Sequence, residues 1–235
     1  MATGWVIDHP AHARLLAPLM RELSTVDDVI IACDRTEVRS MIEYCDGYMP
    51  RRKTIWVPRP VGKGKWRKAW KRSKASKKAL KNVSKVVSIG APLELRVAPR
   101  KARKIYITDT EVNHLAHRLA TPTDVIIPNH FIDSLAGPLM KKNCKFHRID
   151  GLHGHIHLHP HMRPSTVSNP PKVMVRRLQG DGIHDSEEIL SIPEDWLDGL
   201  ELSYADENQV EGNPWDLTSN MSGMNAVITQ SVTLA

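Results

Sequence analysis

The final 58 residues of the chain, 178–235, contain no lysine and no arginine. They carry 12 of the 26 acidic residues, so their formal charge is −12. Residues 1–177 hold all 33 basic residues and 14 acidic ones, a formal charge of +19. Because one well-mixed domain surface would not separate charge this sharply, the pattern predicts two units, the first of which favours anionic partners.

Long apolar runs and paired cysteines are also missing. No run approaches the roughly 18 to 20 apolar residues that span a bilayer, and the first residues lack the segments of a signal peptide. The three cysteines, Cys33, Cys45 and Cys144, show no CxxC spacing. We therefore predict a cytoplasmic protein with reduced thiols, no transmembrane segment, and Cys33 in its core.

What the sequence does contain is an alternation of short apolar runs with amphipathic stretches. The runs that predict strands in the first part of the chain are 4–8, 28–33, 54–57, 85–89, 104–108, 124–128 and 145–149. The stretches that predict helices are 12–23, 37–45, 65–82, 92–98, 112–119 and 132–141. This alternation predicts an α/β, Rossmann-like fold with a doubly wound parallel sheet, whose ligands bind at the carboxyl ends of the strands.

Residues 151–171 are rich in histidine, proline and serine, and they predict a linker between an N-terminal unit, 1–150, and a C-terminal unit, 172–235. The elements expected in the second unit are strands at 172–176 and 226–229, a run at 200–204 and a helix at 214–221. A unit of about 65 residues barely supports a core of its own. We therefore expect this α/β unit to be abbreviated, or the chain to be truncated at Ala235.

Polar and small residues follow two of the predicted strands. Asp8, His9 and His12 come after the first strand, where Asp8 and His12 would contact a substrate and His9 would act as a general base. A solvated turn that caps the next helix is the alternative interpretation. Ser88 and Gly90 belong to the small-residue segment 88–92 at the end of another predicted strand, and such a loop lets backbone N–H groups approach an anion.

A second polar cluster follows the predicted strand 104–108. Asp109 and Glu111 would act as acid or base, or would hold the hydroxyls of a sugar. Asn113 and Arg118, on the next helix, would contact the substrate. Helix capping by the residues at 109–110 is the alternative interpretation.

Further candidates lie in the linker and in the second unit. The histidines that alternate along the linker are His153, His155, His157, His159 and His161. No carboxylate or cysteine set completes a zinc spacing, so we predict no metal site and assign His153 to the lining of a substrate cleft. His184, Ser231 and Thr233 follow predicted strands of the second unit and suit phosphate binding, with ordinary turn chemistry as the alternative.

The basic residues concentrate in one tract. No acidic residue occurs in 47–93, while 15 lysines and arginines fall within 51–85. We predict that Trp66 and Trp70 form the packing face of a helix whose other face is cationic. That cationic face would attract nucleic acid or an anionic lipid, and a solvated face without a partner is the alternative. The lysines assigned to it are Lys68, Lys71, Lys74 and Lys78.

Several segments together carry a family resemblance. They are WVIDHPAHARLLAPLMREL at 5–23, SIGAPLELRVA at 88–98, ITDTEVNHLAHRLATPTDVII at 107–127 and DGLHGHIHLHP at 150–160, with weaker segments at 175–185 and 225–235. Their order resembles a family of archaeal and bacterial proteins with a glycosyltransferase GT-B-like fold, which is related to the non-hydrolysing UDP-N-acetylglucosamine 2-epimerases.

The resemblance implies two facing Rossmann-like domains that hold a nucleotide-diphosphate sugar, mainly through the second domain. It implies that Glu111 and Arg118 match the acidic and arginine motif of the epimerases, and that Ser231 meets the phosphates of the donor. We therefore expect a metal-independent glycosyltransferase, or alternatively a sugar-nucleotide epimerase. The nucleotide sugar would be its donor substrate, no cofactor would be needed, and a homodimer is one oligomeric state open to it.

The basic excess of the first unit then belongs to the acceptor side, which predicts an anionic acceptor such as nucleic acid or an anionic lipid. Two other functions follow from the same tract. One is a protein that only binds nucleic acid, and the other is a glycosyltransferase that modifies a base in DNA or RNA.

Overall fold

A computed structural model describes residues 2–45, 53–150, 166–176, 193–204 and 223–229 of the chain. The chain divides into two compact units, Met1–Leu152 and His153–Ala235. In the described residues each unit has a sheet of its own.

The strands of the first unit are β1 (Thr3–Ile7), β2 (Val29–Cys33), β3 (Lys53–Val57), β4 (Lys85–Ile89), β5 (Arg103–Ile107), β6 (Asp124–Pro128) and β7 (Lys145–Ile149). Its helices are α1 (Pro10–Leu23), α2 (Thr36–Tyr44), α3 (Lys65–Ala79), α4 (Pro92–Val97), α5 (His114–Leu119) and α6 (Gly137–Met140). The seven strands form one parallel sheet in the order β3-β2-β1-β4-β5-β6-β7. The predicted Rossmann-like α/β fold with a parallel sheet is thereby confirmed.

Helices cover both faces of this sheet. α1 packs on α2, whereas α3, α4, α5 and α6 pack against one another in succession. Because parallel crossovers are right-handed and the direction of winding reverses after β3, α1 and α2 lie on one face and the other four helices on the opposite face. The reversal places the topological switch point between β1 and β4.

The core is densest around the central strands. Every residue of β1 and of β2 is buried, as expected for strands covered on both faces. A Cβ at Gly4 would lie 2.3 Å from the Cδ2 atom of Leu80. Glycine at this position therefore lets Leu80, directly after α3, pack onto β1, and it fixes the end of α3 against the middle of the sheet.

The amino edge of the sheet is held by two buried aspartates. Asp28 accepts the indole N–H of Trp5 at 2.8 Å, and Asp124 accepts from Arg103 Nη2 at 2.8 Å. Burial raises the pKa of Asp28, but the hydrogen bonds that its carboxylate accepts lower this pKa by more. The pKa of Asp28 therefore lies below its ordinary value. The hydrogen bonds of Arg103 lower the pKa of Asp124 in the same way. These groups stabilise the sheet at the edge opposite to the switch point.

The predicted elements agree closely with the observed ones except around α6. The helix predicted at 132–141 is reduced to the single turn of α6, because Pro138 is tolerated in the first turn of a helix but not in its interior, and because Ile132 and Leu135 are exposed. The helix predicted at 112–119 begins two residues later, since Asn113 caps it.

The described part of the second unit contains three parallel strands. They are β8 (Lys172–Arg176), β9 (Glu201–Tyr204) and β10 (Ala226–Thr229), in the order β10-β8-β9. Residues 173–175 of the central strand are buried. The Asn225 side chain accepts the backbone N–H of Lys172 at 2.9 Å, which joins the start of β8 to the residue before β10. The helix predicted at 214–221 lies outside the described residues.

Candidate functional site

A buried network of charged side chains lies at the carboxyl end of β1. Arg72, on α3, is 2% exposed, and Glu94, on α4, is completely buried. Nε and Nη2 of Arg72 donate to the two carboxylate oxygens of Glu94 at 2.7 and 3.0 Å, and Nη1 donates to Asp8 Oδ1 at 2.6 Å. Ser76 Oγ donates to Glu94 Oε1 at 3.0 Å. The network ties α3 and α4 to the end of β1 at the switch point.

The ionisation of these groups follows from their pairing. Burial raises the pKa of Asp8, but the charge and hydrogen bond of Arg72 lower it more, so that pKa lies below its ordinary value. Burial alone would lower the pKa of Arg72, whereas the charges of Glu94 and Asp8 raise it overall. Burial also raises the pKa of the nearby Cys33 thiol to about 11. Asp8 is therefore an ionised, orienting carboxylate beside a protonated thiol.

Two histidines stand at the start of α1. His9 is the N-cap residue, and its Nδ1 accepts the backbone N–H of Ala11 at 3.3 Å. His12 Nδ1 accepts the backbone N–H of Asp8 at 3.3 Å. A ring nitrogen that accepts carries no proton, so each neutral ring has its proton on Nε2. The centroids of the two rings lie 5.8 Å apart near the end of β1.

The tautomer in which His9 caps α1 does not suit its predicted role as a general base. A base must accept a proton, and Nε2 of the capping tautomer already carries one. His9 can act as a base at Nε2 only if its ring gives up the cap and moves its proton to Nδ1. In the observed arrangement the Nδ1 atom of His9 accepts a hydrogen bond, so Nε2 is the ring nitrogen that carries the proton.

The loop after β4 lies beside these residues. The strand register pairs Val6 with Ser88, which places Gly90 next to Asp8 on the neighbouring strand. Ser88 is completely buried, and its Oγ donates to the carbonyl of Ala91 at 2.5 Å, so this hydroxyl shapes the loop. Gly90 has a φ of 58°, a left-handed conformation that favours glycine. Among the described residues nothing lies within 4 Å of the place where a Cβ would stand on Gly90.

The second polar cluster follows β5, and its side chains form hydrogen bonds that hold the local structure. Glu111 Oε1 accepts the backbone N–H of Ile132 at 3.0 Å, which joins the loop after β5 to the loop after β6. Asp109 Oδ1 accepts from the Thr110 hydroxyl at 3.2 Å. Asn113 accepts from the backbone of Ala116 at 3.4 Å and caps α5. The capping role suggested for 109–110 therefore belongs to Asn113 instead.

Arg118 is exposed on α5, and within the described residues it does not form an ion pair with Glu111. Both polar clusters lie at the carboxyl edge of the sheet. Because β4 separates β1 from β5, the residues that end β1 and β5 are about 10 Å apart, two strand spacings.

Two buried polar side chains lie beneath the second cluster. Tyr106 Oη and both ring nitrogens of His117 have no hydrogen-bond partner among the described residues, and the rings meet edge-to-face at 6.1 Å. Thr108 lies near enough to Tyr106 to influence the pKa of its hydroxyl, and Thr110 lies near enough to His117 to influence the pKa of its ring. Neither threonine forms a hydrogen bond of ordinary geometry with these groups. Burial lowers the pKa of His117, so the ring is neutral. Sequence reasoning missed this pair because nothing in its spacing distinguishes it from core residues.

The orientation of α3 differs from the prediction. Trp66 is 80% exposed and Trp70 is 62% exposed, so the prediction that they form the packing face is wrong. The face that meets the sheet carries Arg72, Ser76 and Leu80, which are spaced four residues apart. Because Arg72 must reach its two carboxylates, the helix turns its tryptophans to the solvent. No local pattern in the sequence distinguishes Arg72 from the cations around it.

Seven exposed residues form what we call the outward face of α3: Trp66, Arg67, Trp70, Lys71, Lys74, Lys77 and Lys78. Lys74 Nζ lies 5.2 Å from the centroid of the Trp70 ring, within cation–π range. Three of the four lysines assigned to nucleic acid belong to this face. Lys68 does not, because it is half-buried and its Nζ donates to the carbonyl of Val61 at 3.0 Å, which fixes the loop before α3.

Four predicted contact residues, His153, His184, Ser231 and Thr233, lie outside the described residues, as do the histidines of 155–161. Within the described ranges, no group of three or more histidine, cysteine or acidic side chains could hold a metal ion. The roles of these residues and the metal-independent chemistry stay predictions.

The first unit is thus a Rossmann-like α/β unit that gathers polar groups at the carboxyl edge of its sheet. No model of a known protein family matches the chain, and no curated protein matches it. In the part of the chain that the structure describes, every helix is too short or too polar to cross a membrane. The glycosyltransferase resemblance, the cytoplasmic location and the homodimer stay predictions.

Proposed function

We propose that the protein is a nucleotide-sugar enzyme of the glycosyltransferase type with a GT-B-like pair of domains, and that the first unit serves the acceptor. The observation that carries this proposal is the switch point between β1 and β4, where Asp8, His9 and Gly90 adjoin one another. In doubly wound sheets, ligands bind outside the carboxyl ends of the strands at this point.

The contacts of each residue suggest its role. Asp8 is held ionised by Arg72, and its backbone N–H orients the ring of His12. His9 and His12 are candidates for contact with phosphate or hydroxyl oxygens. Asp109 and Glu111, on the other side of β4, are the candidates for the base that activates an acceptor hydroxyl.

The sequence resemblance alone supports donor binding by the second unit. The second unit would hold the diphosphate through hydroxyls and backbone N–H groups near His184, Ser231 and Thr233, since 178–235 contains no lysine or arginine. Arg118 would offset the charge that develops on the leaving diphosphate. Epimerisation of the same nucleotide sugar is the alternative reaction, and analysis of the products separates it from transfer.

Calorimetry and thermal-shift measurements on the full chain, with UDP and a panel of nucleotide-diphosphate sugars, test the proposal. We expect at least one nucleotide sugar to bind, and His9→Ala to lower transfer of the sugar, measured by analysis of the products. The matched control is His130→Ala, which changes an exposed histidine after β6, separated from β1 by β4 and β5. If no nucleotide or nucleotide sugar binds, the proposal is wrong.

A further inference from the structure

We infer that the outward face of α3 binds single-stranded nucleic acid, with bases stacked on Trp66 and Trp70 and phosphates paired with its basic side chains. This face uses none of the residues assigned to the nucleotide-sugar site. The two proposals can therefore fail separately.

The charge of the outward face favours a polyanion. All five of its cations are exposed, and none forms an ion pair with another described residue. The sequence supplies no acidic residue anywhere in 47–93. A nucleic acid that binds such a surface releases its condensed counterions, which is the main source of affinity in these complexes.

The two tryptophans add a feature that a merely solvated basic face does not need. Their exposed fractions, 80% for Trp66 and 62% for Trp70, leave both indoles accessible. They are four residues apart, so they lie on one side of the helix about 6 Å apart along its axis. Aromatic rings interleaved with cations are the typical elements of a surface for single strands, because every base has a face that can stack.

The helix that carries this face is rigidly held. On its inner side Arg72 bonds to Glu94 and Asp8, and Leu80 packs onto Gly4. The rings and cations are therefore presented on a fixed scaffold, and binding does not require the backbone to be ordered.

A lipid surface fits the same residues less well. An interfacial helix places aromatic and aliphatic residues on one face and lysines on the opposite one. On α3 the tryptophans share a face with the cations, and the helix contains no leucine, isoleucine, valine or phenylalanine. A duplex also fits less well, because its bases are already stacked and cannot cover the indoles.

Fluorescence anisotropy with labelled oligothymidine and oligouridine of about 20 nucleotides tests the inference on the full chain. The corresponding duplex and vesicles of phosphatidylserine with phosphatidylcholine serve as the rival probes. We expect the single strands to bind more tightly than the duplex, and the vesicles not to bind. If about four phosphates are contacted, the logarithm of the association constant should fall with the logarithm of salt with a slope of about −3.

Two variants separate stacking from charge. Trp66→Ala with Trp70→Ala should weaken single-strand binding at least about fivefold, because a base loses its stacking partner. Its control is Trp196→Ala, which removes a 70% exposed tryptophan from the second unit. The triple change Lys71→Gln, Lys74→Gln and Lys78→Gln should reduce the salt slope by about 2. Its control removes the same charge elsewhere, from the exposed residues Lys101, Lys141 and Lys145.

Quenching of indole fluorescence by the oligonucleotide gives a readout that needs no substitution of the basic residues. Wild-type binding by the double tryptophan variant would overturn the inference. So would equal losses in the lysine variant and its charge control, tighter binding of the duplex, or binding of the vesicles without binding of the oligonucleotides.

Discussion

The two faces of α3 place the same kind of side chain in opposite surroundings. On the inner face Arg72 is 2% exposed and is bonded to Glu94 and Asp8. On the outward face Lys71 and Lys74 are exposed, without an acidic partner among the described residues. A buried cation is stable only when paired, whereas an exposed one is stabilised by water and is available to a ligand.

The basic residues of α3 therefore do not share one function. Arg72 organises the switch point of the sheet, whereas the five cations of the outward face are exposed to the solvent. Residue type alone does not separate these roles, because the position of a carboxylate on another element decides them.

The largest expected effect comes from removing the inner cation. Arg72→Met should lower the free energy of unfolding by about 3–5 kcal/mol, because it leaves two carboxylates around a buried site without their partner. The adjacent, exposed change Lys71→Met should alter it by no more than about 0.5 kcal/mol. Urea denaturation followed by circular dichroism measures both. Equal losses in the two variants would remove the distinction between the faces.

The partners on the inner face should also act as a unit. We expect Glu94→Gln to destabilise the wild-type protein more than it destabilises Arg72→Met, with a coupling energy of about 1–3 kcal/mol. The four unfolding curves of the double-mutant cycle provide that energy. Strictly additive losses would show that the two side chains do not stabilise each other.

The inner face should also make stability depend on pH. The pKa of Asp8 is lowered in the folded protein, so its contribution is complete above its unfolded pKa and is lost as the pH falls through its folded pKa. Below about pH 4, the wild-type protein should therefore lose stability more steeply than Asp8→Asn. Unfolding curves recorded over this acidic range test the difference, and parallel profiles would argue against an ionised Asp8.

The smallest effect on stability is expected on the outward face. Trp66→Ala and Trp70→Ala should each change the free energy of unfolding by about 0.5 kcal/mol or less, since both rings are mostly exposed. The same urea curves measure this. A loss of several kcal/mol would mean that the indoles pack in the folded protein.

Much of the first unit could be predicted from the sequence because its strands are short, apolar and separated by amphipathic stretches. Runs such as VIIAC at Val29–Cys33 are buried on both faces, and a parallel sheet follows from their alternation with helices. The helix predicted over 132–141 is longer than the observed α6, because Pro138 is tolerated in the first turn of a helix but not in its interior.

Only the position of the candidate site in the fold could be predicted from the sequence. That Asp8 and His9 follow a strand places them at the carboxyl edge, and the structure agrees. The pairing of Arg72 with Glu94 joins residues 22 apart in the sequence through a tertiary contact, which no local pattern shows. The exposure of Trp66 and Trp70 follows from that pairing and could not be predicted without it.

The proposed division of labour is between the inner face of α3, which stabilises the fold, and the outward face, which binds nucleic acid. Its most direct test compares the affinity of a labelled single strand for the wild-type protein with its affinity for the variant that combines Trp66→Ala with Trp70→Ala. We predict binding at least about fivefold weaker in the variant at the same salt concentration, with its free energy of unfolding nearly unchanged. Identical affinities would contradict the assignment of the outward face to nucleic acid.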